Sequence, residues 1–334
     1  MNHPTENFIL ADARWYGPCG IGRFAFEILN QLNHTDLLTH GPHPLSFKNL
    51  FWQSYLLSKK SSYKIFFTPG FNPQLKSPIP FVFTIHDLIH LHFPGKGAWQ
   101  KKIFYDLFIK KGLKTAYKII TVSDYSKQEI LNWANIPAEK IVVVNNGVSK
   151  VFTAEGLRYQ PGFPYLLHVG NTKEHKNIAR LIKAFACAKI DQNIRLIFIS
   201  KITEDLAKLI QENKLTSRII FSSTLSEQEL AALYRGAMGL TFPSLYEGFG
   251  LPVVEAMACG IPVLTSNTSA LPEVASDAAL LIDPFDVEAI SHGIEQLVND
   301  SQLRKNLIAK GFNRVQFFSW IKTMQKIQSV LNID

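Results

Sequence analysis

Residues 243–260 contain two glutamates, Glu247 and Glu255, with a glycine-rich turn between them. Gly248 and Gly250 let the backbone approach a ligand closely, and the Leu-Pro pair that follows is typical of a first helical turn. The N-terminus of such a helix attracts phosphate groups, and carboxylates accept hydrogen bonds from hydroxyl groups. The segment therefore suits a ligand with a diphosphate and sugar hydroxyls. For an isolated pair of glutamates, the alternative is that their charges only complement the helix dipole.

The whole string EGFGLPVVEAMACGIPVLTS, with its Glu-x7-Glu spacing, resembles the retaining GT-B glycosyltransferases of the family 4 type. The match continues through SNTSALPEVASDAALLIDPFDVEAI. In that family the first glutamate bonds hydroxyls of the donor sugar, the second bonds the ribose, and backbone amides between them contact sugar and diphosphate. The resemblance assigns these roles to Glu247, Glu255 and the stretch formed by Gly248, Phe249, Gly250 and Leu251.

A second stretch, HVGNTKEHKNIARLIKAF from His168, resembles the strand, loop and helix that bring basic residues to the diphosphate in this family. Lys176 matches the family's lysine. Asn171 occupies the place of a common arginine, and His175 that of a basic residue often found before the lysine, so Lys173 could supply the second cation. An ammonium here would neutralise charge on the departing diphosphate; simple solvation is the alternative for a surface lysine.

Near the N-terminus, the string ARWYGPCGIGRFAFEIL places glycines between a predicted strand and a helix. A glycine-rich turn alone is a weak signal. The string resembles the family's Gly-Ile-Gly-Arg segment, which faces the donor diphosphate across the cleft. We therefore expect Gly20 and Gly22 at the donor.

The string TIHDLIHLHFP resembles the His-Asp-Leu segment of a mannosyltransferase-rich branch of the family, which would place His86 near the transferred sugar. For His90 and His92, satisfied loop or core positions are the alternative. A zinc site built from these histidines and Asp87 would need them on one helix face, whereas the segment ends a strand. We expect no metal, and the chain has no Asp-x-Asp sequence.

Short apolar runs alternate with helical patterns along the chain and predict parallel α/β sheets. We expect two Rossmann-like domains, an acceptor-side domain over residues 1–160 and a nucleotide-sugar domain over residues 161–312. A stretch predicted to be helical with an interruption at Gly311 ends the chain. The resemblance implies a GT-B fold, with the two domains facing across a cleft and a C-terminal helix, residues 313–334, packing back on the first domain.

The composition agrees with two soluble domains. The 334 residues exceed the roughly 250 that one hydrophobic core supports, and the apolar runs are far shorter than the ~20 residues of a membrane-spanning helix. The N-terminus lacks the pattern of a secretory signal, and three widely spaced cysteines favour a reducing compartment. We expect a cytoplasmic protein. Peripheral attachment to the inner face of the cytoplasmic membrane is the alternative.

The net charge of +8 lies mainly in the first half, where residues 1–155 have 17 Lys or Arg against 10 Asp or Glu. Residues 99–118 mix aromatic side chains with lysines, a pattern typical of a helix lying on an anionic membrane. The alternative is a helix whose apolar face lies in the core and whose basic face is solvated. No nucleic-acid motif accompanies the lysines.

The resemblance implies a retaining, metal-independent transfer of a hexose from a nucleotide-sugar to a glycan or lipid-linked acceptor in cell-envelope polysaccharide or lipopolysaccharide synthesis. The His-Asp-Leu branch favours mannose and GDP-mannose, while UDP- and dTDP-sugars stay open. No cofactor is expected beyond this co-substrate. A nucleotide-sugar epimerase of the same fold and a non-catalytic nucleotide-sugar-binding subunit are the two alternatives.

Overall fold

Apolar runs of three to five residues form two parallel sheets of six strands each in the computed structural model, which describes residues 8–17, 19–74, 77–93, 95, 97–222 and 225–332. The chain divides into two compact units. Unit 1 consists of Met1–Gly147 and Trp320–Asp334, and unit 2 of Val148–Ser319. The predicted α/β class with two doubly wound domains is confirmed.

The sheet of unit 1 has the order β2-β1-β3-β4-β5-β6. Its strands are β1 (Ile9–Asp12), β2 (Thr35–Leu38), β3 (Ile65–Thr68), β4 (Phe81–Thr84), β5 (Lys118–Thr121) and β6 (Ile141–Val143). Its helices are α1 (Gly20–Leu29), α2 (Phe47–Ser58), α3 (Ile89–His92), α4 (Ala98–Phe104), α5 (Lys110–Thr115), α6 (Asp124–Ala134) and, from the end of the chain, α14 (Trp320–Leu331). A π-helical turn, Tyr105–Ile109, joins α4 to α5.

The sheet of unit 2 has the order β12-β11-β10-β7-β8-β9, the order of a doubly wound Rossmann sheet. Its strands are β7 (Tyr165–Val169), β8 (Arg195–Ile199), β9 (Ile219–Ser222), β10 (Gly239–Phe242), β11 (Val263–Ser266) and β12 (Leu280–Ile282). Its helices are α7 (Ile178–Cys187), α8 (Glu204–Glu212), α9 (Glu227–Gly236), α10 (Leu251–Ala258), α11 (Leu271–Ala275), α12 (Val287–Asn299) and α13 (Ser301–Val315).

Burial explains why most strands could be read from the sequence. Helices cover both faces of a parallel sheet, so central strands become continuous apolar runs, and every residue of β3, β4 and β10 is buried. The edge strand β2 was not predicted. Its sequence, TDLL, begins with two partly exposed polar residues and lacks that apolar signal.

The division between the units falls after Gly147 rather than near residue 160. In the sequence, Tyr159, Pro161, Gly162 and Pro164 indicate a linker near residue 160, but the start of this stretch packs on α9. The backbone N–H of Tyr159 donates to the Ala232 carbonyl at 2.9 Å, and Arg235 Nε donates to the Leu157 carbonyl at 2.7 Å. These bonds hold the stretch on unit 2.

The expected interruption at Gly311 is wrong, because α13 runs through it to Val315. Gly311 is buried and lets α13 approach α10: a Cβ there would lie 3.2 Å from Met257 Cγ. The helix ends after Val315, and α14 then packs in unit 1. Its Trp320 ring lies 6.1 Å from the ring of Phe24 on α1.

A substitution at Gly22 tests the packing at the start of α1. A Cβ at this position would lie 2.1 Å from the Gly17 carbonyl oxygen, which is backbone and cannot move aside. We expect Gly22→Ala to lower the free energy of unfolding by about 2 kcal/mol, measured by urea denaturation. Gly17→Ala is the matched control, because its Cβ would meet nothing within 4 Å. Equal stability of both variants would contradict this packing.

Candidate active site

The carboxyl ends of β7 and β10 mark the switch point of the unit 2 sheet. These two strands are neighbours, but β7 leads to β8 on one side and β10 leads to β11 on the other. Loops that leave in opposite directions open a crevice, and open α/β sheets bind their ligands there. Lys176 follows β7 and Glu247 follows β10, so this topology brings the two predicted residues to one place.

Lys176 and Glu247 form an ion pair, with Nζ 2.6 Å from Oε1. Their side chains are 12% and 14% exposed, respectively. The ammonium also lies 4.9 Å from the centroid of the Phe242 ring at the end of β10, within cation–π range. Removing one partner of such a mostly buried pair strongly lowers the stability of the folded protein, because the other charge is left buried and unpaired.

Backbone and amide contacts hold the two loops together. The Asn177 side chain donates to the Pro243 carbonyl at 3.0 Å and to the Pro284 carbonyl at 2.7 Å. The Leu245 N–H donates to the His175 carbonyl at 2.7 Å. The position of Lys176 relative to Glu247 is thus fixed by bonds on both sides of the pair, which favours a preorganised site.

Helix α10 begins where the sequence predicted, at Leu251 with a proline next to it. Gly250 caps it at φ 101°, a left-handed conformation that favours glycine. Gly248, Phe249 and Gly250 are buried, whereas Leu251 is partly exposed. The first N–H groups of a helix have no intrahelical partner, and the dipole adds positive potential. This end of α10 can bind an anion.

The backbone of Glu247 is fixed from the loop after β11. Its N–H donates to Ser269 Oγ at 3.1 Å, and its carbonyl accepts from the Ala270 N–H at 3.3 Å. Sequence reasoning missed Ser269, since nothing in the residue type or spacing connects it to the glutamate.

Glu255 lies one turn further into α10 and is 4% exposed. Its Oε2 accepts a hydrogen bond from the Tyr234 hydroxyl of α9 at 2.9 Å. The two glutamates therefore have different surroundings, a lysine for Glu247 and a buried tyrosine for Glu255. Tyr234 was also missed from the sequence, because its contact depends on how α9 packs against α10.

Asn171 and Lys173 are both exposed, and the Asn171 side chain accepts from the Lys173 N–H at 3.1 Å. Their contact forms a local turn. Lys176 is the cation of this loop that pairs with Glu247.

In unit 1, His86 follows β4 and is 9% exposed. Its Nε2 donates to the Pro69 carbonyl at 2.9 Å, and its ring meets the edge of Phe24 at 4.9 Å. Burial lowers the pKa of His86 to about 4, against the opposing effect of the Pro69 carbonyl. At neutral pH this imidazole is uncharged.

Gly20 and Gly22 lie in the first turn of α1, Gly20 exposed and Gly22 buried. The other histidines of the His-Asp-Leu segment have separate partners. His92 Nε2 lies 2.8 Å from Glu129 Oε1, and the His90 ring lies 6.2 Å from that of Phe71. Among the residues that the structure describes, no group of three or more His, Cys, Asp or Glu is arranged to hold a metal.

His168 is a buried residue behind Lys176 that the sequence did not single out. Its Nδ1 donates to the Thr241 carbonyl at 2.9 Å, and its ring stacks on Phe242 at 5.8 Å. Burial lowers the pKa of His168 to about 4; the Thr241 carbonyl opposes the shift and the charge of Lys176 adds to it.

The two buried histidines predict a loss of stability in acid. Because their folded pKa of about 4 lies below the ordinary 6.5, the unfolded chain binds more protons between these values. Their contribution is fully present above pH 6.5 and is lost as the pH falls toward 4, with a slope of about 1.4 kcal/mol per pH unit for each histidine. Urea unfolding between pH 7 and pH 4 measures it.

His168→Phe should make this pH dependence less steep, because phenylalanine keeps an aromatic ring in the site but has no group that titrates. His292→Phe is the control, because the His292 side chain is 81% exposed. An unchanged slope in His168→Phe would show that His168 is not neutral and buried in solution.

Residues 99–118 span α4, the π-helical turn, α5 and the start of β5, and part of their apolar face lies in the core. Tyr105, Ile109 and Leu113 are buried. Trp99 and Leu107 remain 72% and 61% exposed. Within the described ranges, no helix is both long enough and apolar enough to span a bilayer.

Two family profiles match this chain. The profile described as "Glycosyl transferases group 1" matches residues 154–314, and that described as "Glycosyltransferase Family 4" matches residues 23–150. The second match covers most of unit 1, and the first most of unit 2 with its site.

Three relatives are similar over most of the chain. O-antigen chain mannosyltransferase B of Escherichia coli is 34% identical over 72% of this chain and 66% of its own length. The O-antigen chain mannosyltransferase RfbU of Salmonella typhimurium is 30% identical over 68% and 64%. A glycosyltransferase of Methanocaldococcus jannaschii is 31% identical over 76% and 69%. The chain thus spans about two thirds of the length of these relatives.

Two solved structures share the fold. WaaG, a glycosyltransferase involved in lipopolysaccharide biosynthesis, aligns with a TM-score of 0.80 at 16% identity over 98% of this chain and 100% of WaaG. HepE of Anabaena, in complex with UDP and glucose, aligns with a TM-score of 0.77 at 18% identity over 98% of this chain and 99% of HepE. With two parallel six-stranded sheets, these profiles and these relatives, the chain belongs to the family 4 glycosyltransferases of the GT-B fold.

Proposed function

We propose that this protein transfers a hexose, with mannose favoured, from a nucleotide-sugar to a glycan or lipid-linked acceptor in cell-envelope polysaccharide synthesis. The Lys176–Glu247 pair, held at the switch point beside the start of α10, is the observation on which the proposal rests. A cation, an anion-binding helix end and a carboxylate together match a diphosphate joined to a sugar.

Each residue of the pair takes one part of the donor. Glu247 accepts hydrogen bonds from sugar hydroxyls, and Lys176 binds the diphosphate together with the amides of residues 248–251. In the structure the Lys176 ammonium and the Glu247 carboxylate form an ion pair at 2.6 Å. A donor would replace that contact with its own phosphate and hydroxyl groups.

Glu255 is the proposed ribose ligand. It is held by Tyr234 at 2.9 Å, and this contact fixes the orientation of a carboxylate, a group that accepts hydrogen bonds from diol hydroxyls.

The chemistry is proposed to be metal-independent and to retain the anomeric configuration. As the bond between sugar and diphosphate breaks, negative charge grows on the phosphate oxygens. The Lys176 ammonium and the α10 N-terminus stabilise that charge, a task that a divalent cation performs in other enzymes. The acceptor hydroxyl would attack on the face from which the diphosphate leaves.

Mannose is favoured because relatives named as O-antigen chain mannosyltransferases align over about 70% of this chain. GDP-mannose is therefore the first donor to test, followed by UDP- and dTDP-sugars. Asn171 and Lys173 are proposed to contribute secondary contacts to the donor. His86, Gly20 and Gly22 keep their proposed roles at the sugar and the diphosphate, on the sequence resemblance.

A peripheral membrane contact is proposed through the exposed part of residues 99–118. Trp99 and Leu107 are the most exposed apolar side chains of this range, and Lys102, Lys111 and Lys114 of the same range are exposed. We expect Trp99→Ala with Leu107→Ala to reduce binding to vesicles containing phosphatidylglycerol about tenfold. Leu157→Ala, at an 84% exposed leucine of unit 2, is the control. Unchanged sedimentation with the vesicles would remove the membrane from the proposal.

A panel of nucleotides tests the function. Thermal unfolding is followed with GDP, UDP, dTDP and ADP, because a ligand that binds the folded state raises the Tm. The stabilising nucleotide then selects the sugar donor, which is incubated with and without lipid-linked glycan. Transfer only with acceptor supports the proposal. Epimerised donor without acceptor would indicate the epimerase, and binding without any turnover the non-catalytic subunit.

A further inference from the structure

Unit 1 contains a cavity of about 990 Å³ at the amino ends of β4 and β5. Its walls come from the second half of α2, from residues 77–81 and from Thr115 and Tyr117, which precede β5. His86 follows the carboxyl end of β4. The cavity and His86 therefore lie at opposite ends of the same strand.

The lining of the cavity is uncharged and mostly apolar, with hydroxyl groups set into it. Hydroxyl groups come from Ser54, Ser58, Ser77 and Thr115, and phenol groups from Tyr55 and Tyr117. Each of the described residues that line the cavity is neutral. The hydroxyls of the four Ser and Thr residues already donate to backbone carbonyls, so they offer acceptors to a neutral ligand rich in hydroxyl groups. The volume lies within the range of small-molecule sites.

Gln74 in the cavity wall supplies a second observation. It is 1% exposed, and both polar atoms of its amide are buried without a hydrogen-bond partner among the described residues. A buried amide in this state is uncommon in folded proteins and calls for an explanation. A hydroxyl-bearing ligand in the cavity would provide the missing partners after a small movement of the wall.

Aromatic side chains extend from the cavity along α2. Tyr55 at the cavity is 66% exposed, and Phe51 and Phe47 precede it at intervals of four residues with 68% and 57% exposed. The helix rise of 1.5 Å per residue places successive rings about 6 Å apart on one face. A row of exposed rings at this interval suits stacking by successive sugar rings of a glycan.

We propose that unit 1 binds a neutral oligosaccharide in this cavity and along the row formed by Phe47, Phe51 and Tyr55. The site would hold a part of the acceptor glycan away from its reacting end. It rests on the proposed function in one respect, that a glycan is the acceptor.

Isothermal titration of the full chain with α-linked mannotriose tests the proposal. Ser54→Leu fills the cavity, and Tyr117→Ala removes a ring at 43% exposure from its wall. Ser329→Leu is matched to Ser54→Leu, because each serine lies on a helix of unit 1 and donates to a carbonyl of its own helix, Ser54 to Leu50 and Ser329 to Lys326. We expect each cavity variant to raise the Kd about tenfold and Ser329→Leu to leave it unchanged.

A saturating concentration of the nucleotide that stabilises the protein separates this site from the donor site. An unchanged Kd for mannotriose supports the proposal, and displacement by the nucleotide overturns it. The same Kd for mannotriose in wild type and Ser54→Leu also overturns it. A third overturning result is that mannotriose fails to saturate the protein, while the protein binds anionic vesicles and Ser54→Leu abolishes that binding. Mannotriose binding in a protein that binds no nucleotide would contradict the proposed function and leave this inference standing.

Discussion

Glu247→Gln is expected to lower kcat about 10²- to 10³-fold while raising the KM for the donor much less. The amide keeps the shape of the side chain but loses the charge that pairs with Lys176 at 2.6 Å. It also becomes a weaker acceptor for sugar hydroxyls, whose hydrogen bonds strengthen as positive charge develops on the sugar. Steady-state transfer of radiolabelled sugar measures both constants.

The same substitution should destabilise the fold. The Lys176 side chain is 12% exposed, and an ammonium that loses its partner in such surroundings costs about 2 kcal/mol or more. Glu212→Gln is the control, because Glu212 is 57% exposed and 3.9 Å from Lys208. If Glu247→Gln kept kcat within about threefold of wild type with each competent donor, the role of Glu247 would be wrong.

Lys176→Met is expected to lower kcat about 10³-fold and to weaken binding of the nucleoside diphosphate about tenfold. The larger effect falls on kcat because the phosphate charge grows in the transition state. Methionine keeps much of the stem, and a Cβ at Gly170 would lie 3.3 Å from both Lys176 Cδ and Cε, which shows how closely that stem is packed. Loss of activity can then be attributed to the ammonium.

Lys173→Met is the matched control for this prediction. Lys173 lies in the same loop but is exposed, so we expect its loss to change kcat less than threefold or so. The double variant Lys176→Met with Glu247→Gln should be less destabilised than the sum of the single variants, since neither partner is left charged and alone. A large loss of kcat in Lys173→Met with a small loss in Lys176→Met would show that Lys173, and not Lys176, binds the diphosphate.

Features of the fold could be predicted from the sequence where the type of a residue depends only on its local surroundings. Apolar runs make up most of the strands β7 and β8, because the interior of a strand covered on both faces is apolar. The start of α10 followed from glycine and proline, whose backbone preferences are local. Lys176 and Glu247 were found through the family pattern, and their contact then follows from the strand order.

Residues that act through tertiary contacts could not be predicted. Tyr234 reaches Glu255 from another helix, and Ser269 holds the Glu247 backbone from the loop after β11. The same limit applies at two further positions. Gly311 suggested a break but serves helix packing. Tyr159, at the start of the stretch that suggested a linker, is bonded to Ala232 of α9.

Hydrogen exchange with GDP-mannose, or with the donor that the nucleotide panel selects, tests the central claim most directly. The full chain is labelled with and without a saturating donor, and amide protection is mapped by mass spectrometry. We predict that donor slows exchange in peptides covering residues 170–177 and 247–255 and that Lys176→Met removes this protection. Donor-dependent protection confined to other parts of unit 2, with these two segments unchanged, would contradict the assignment of the donor site.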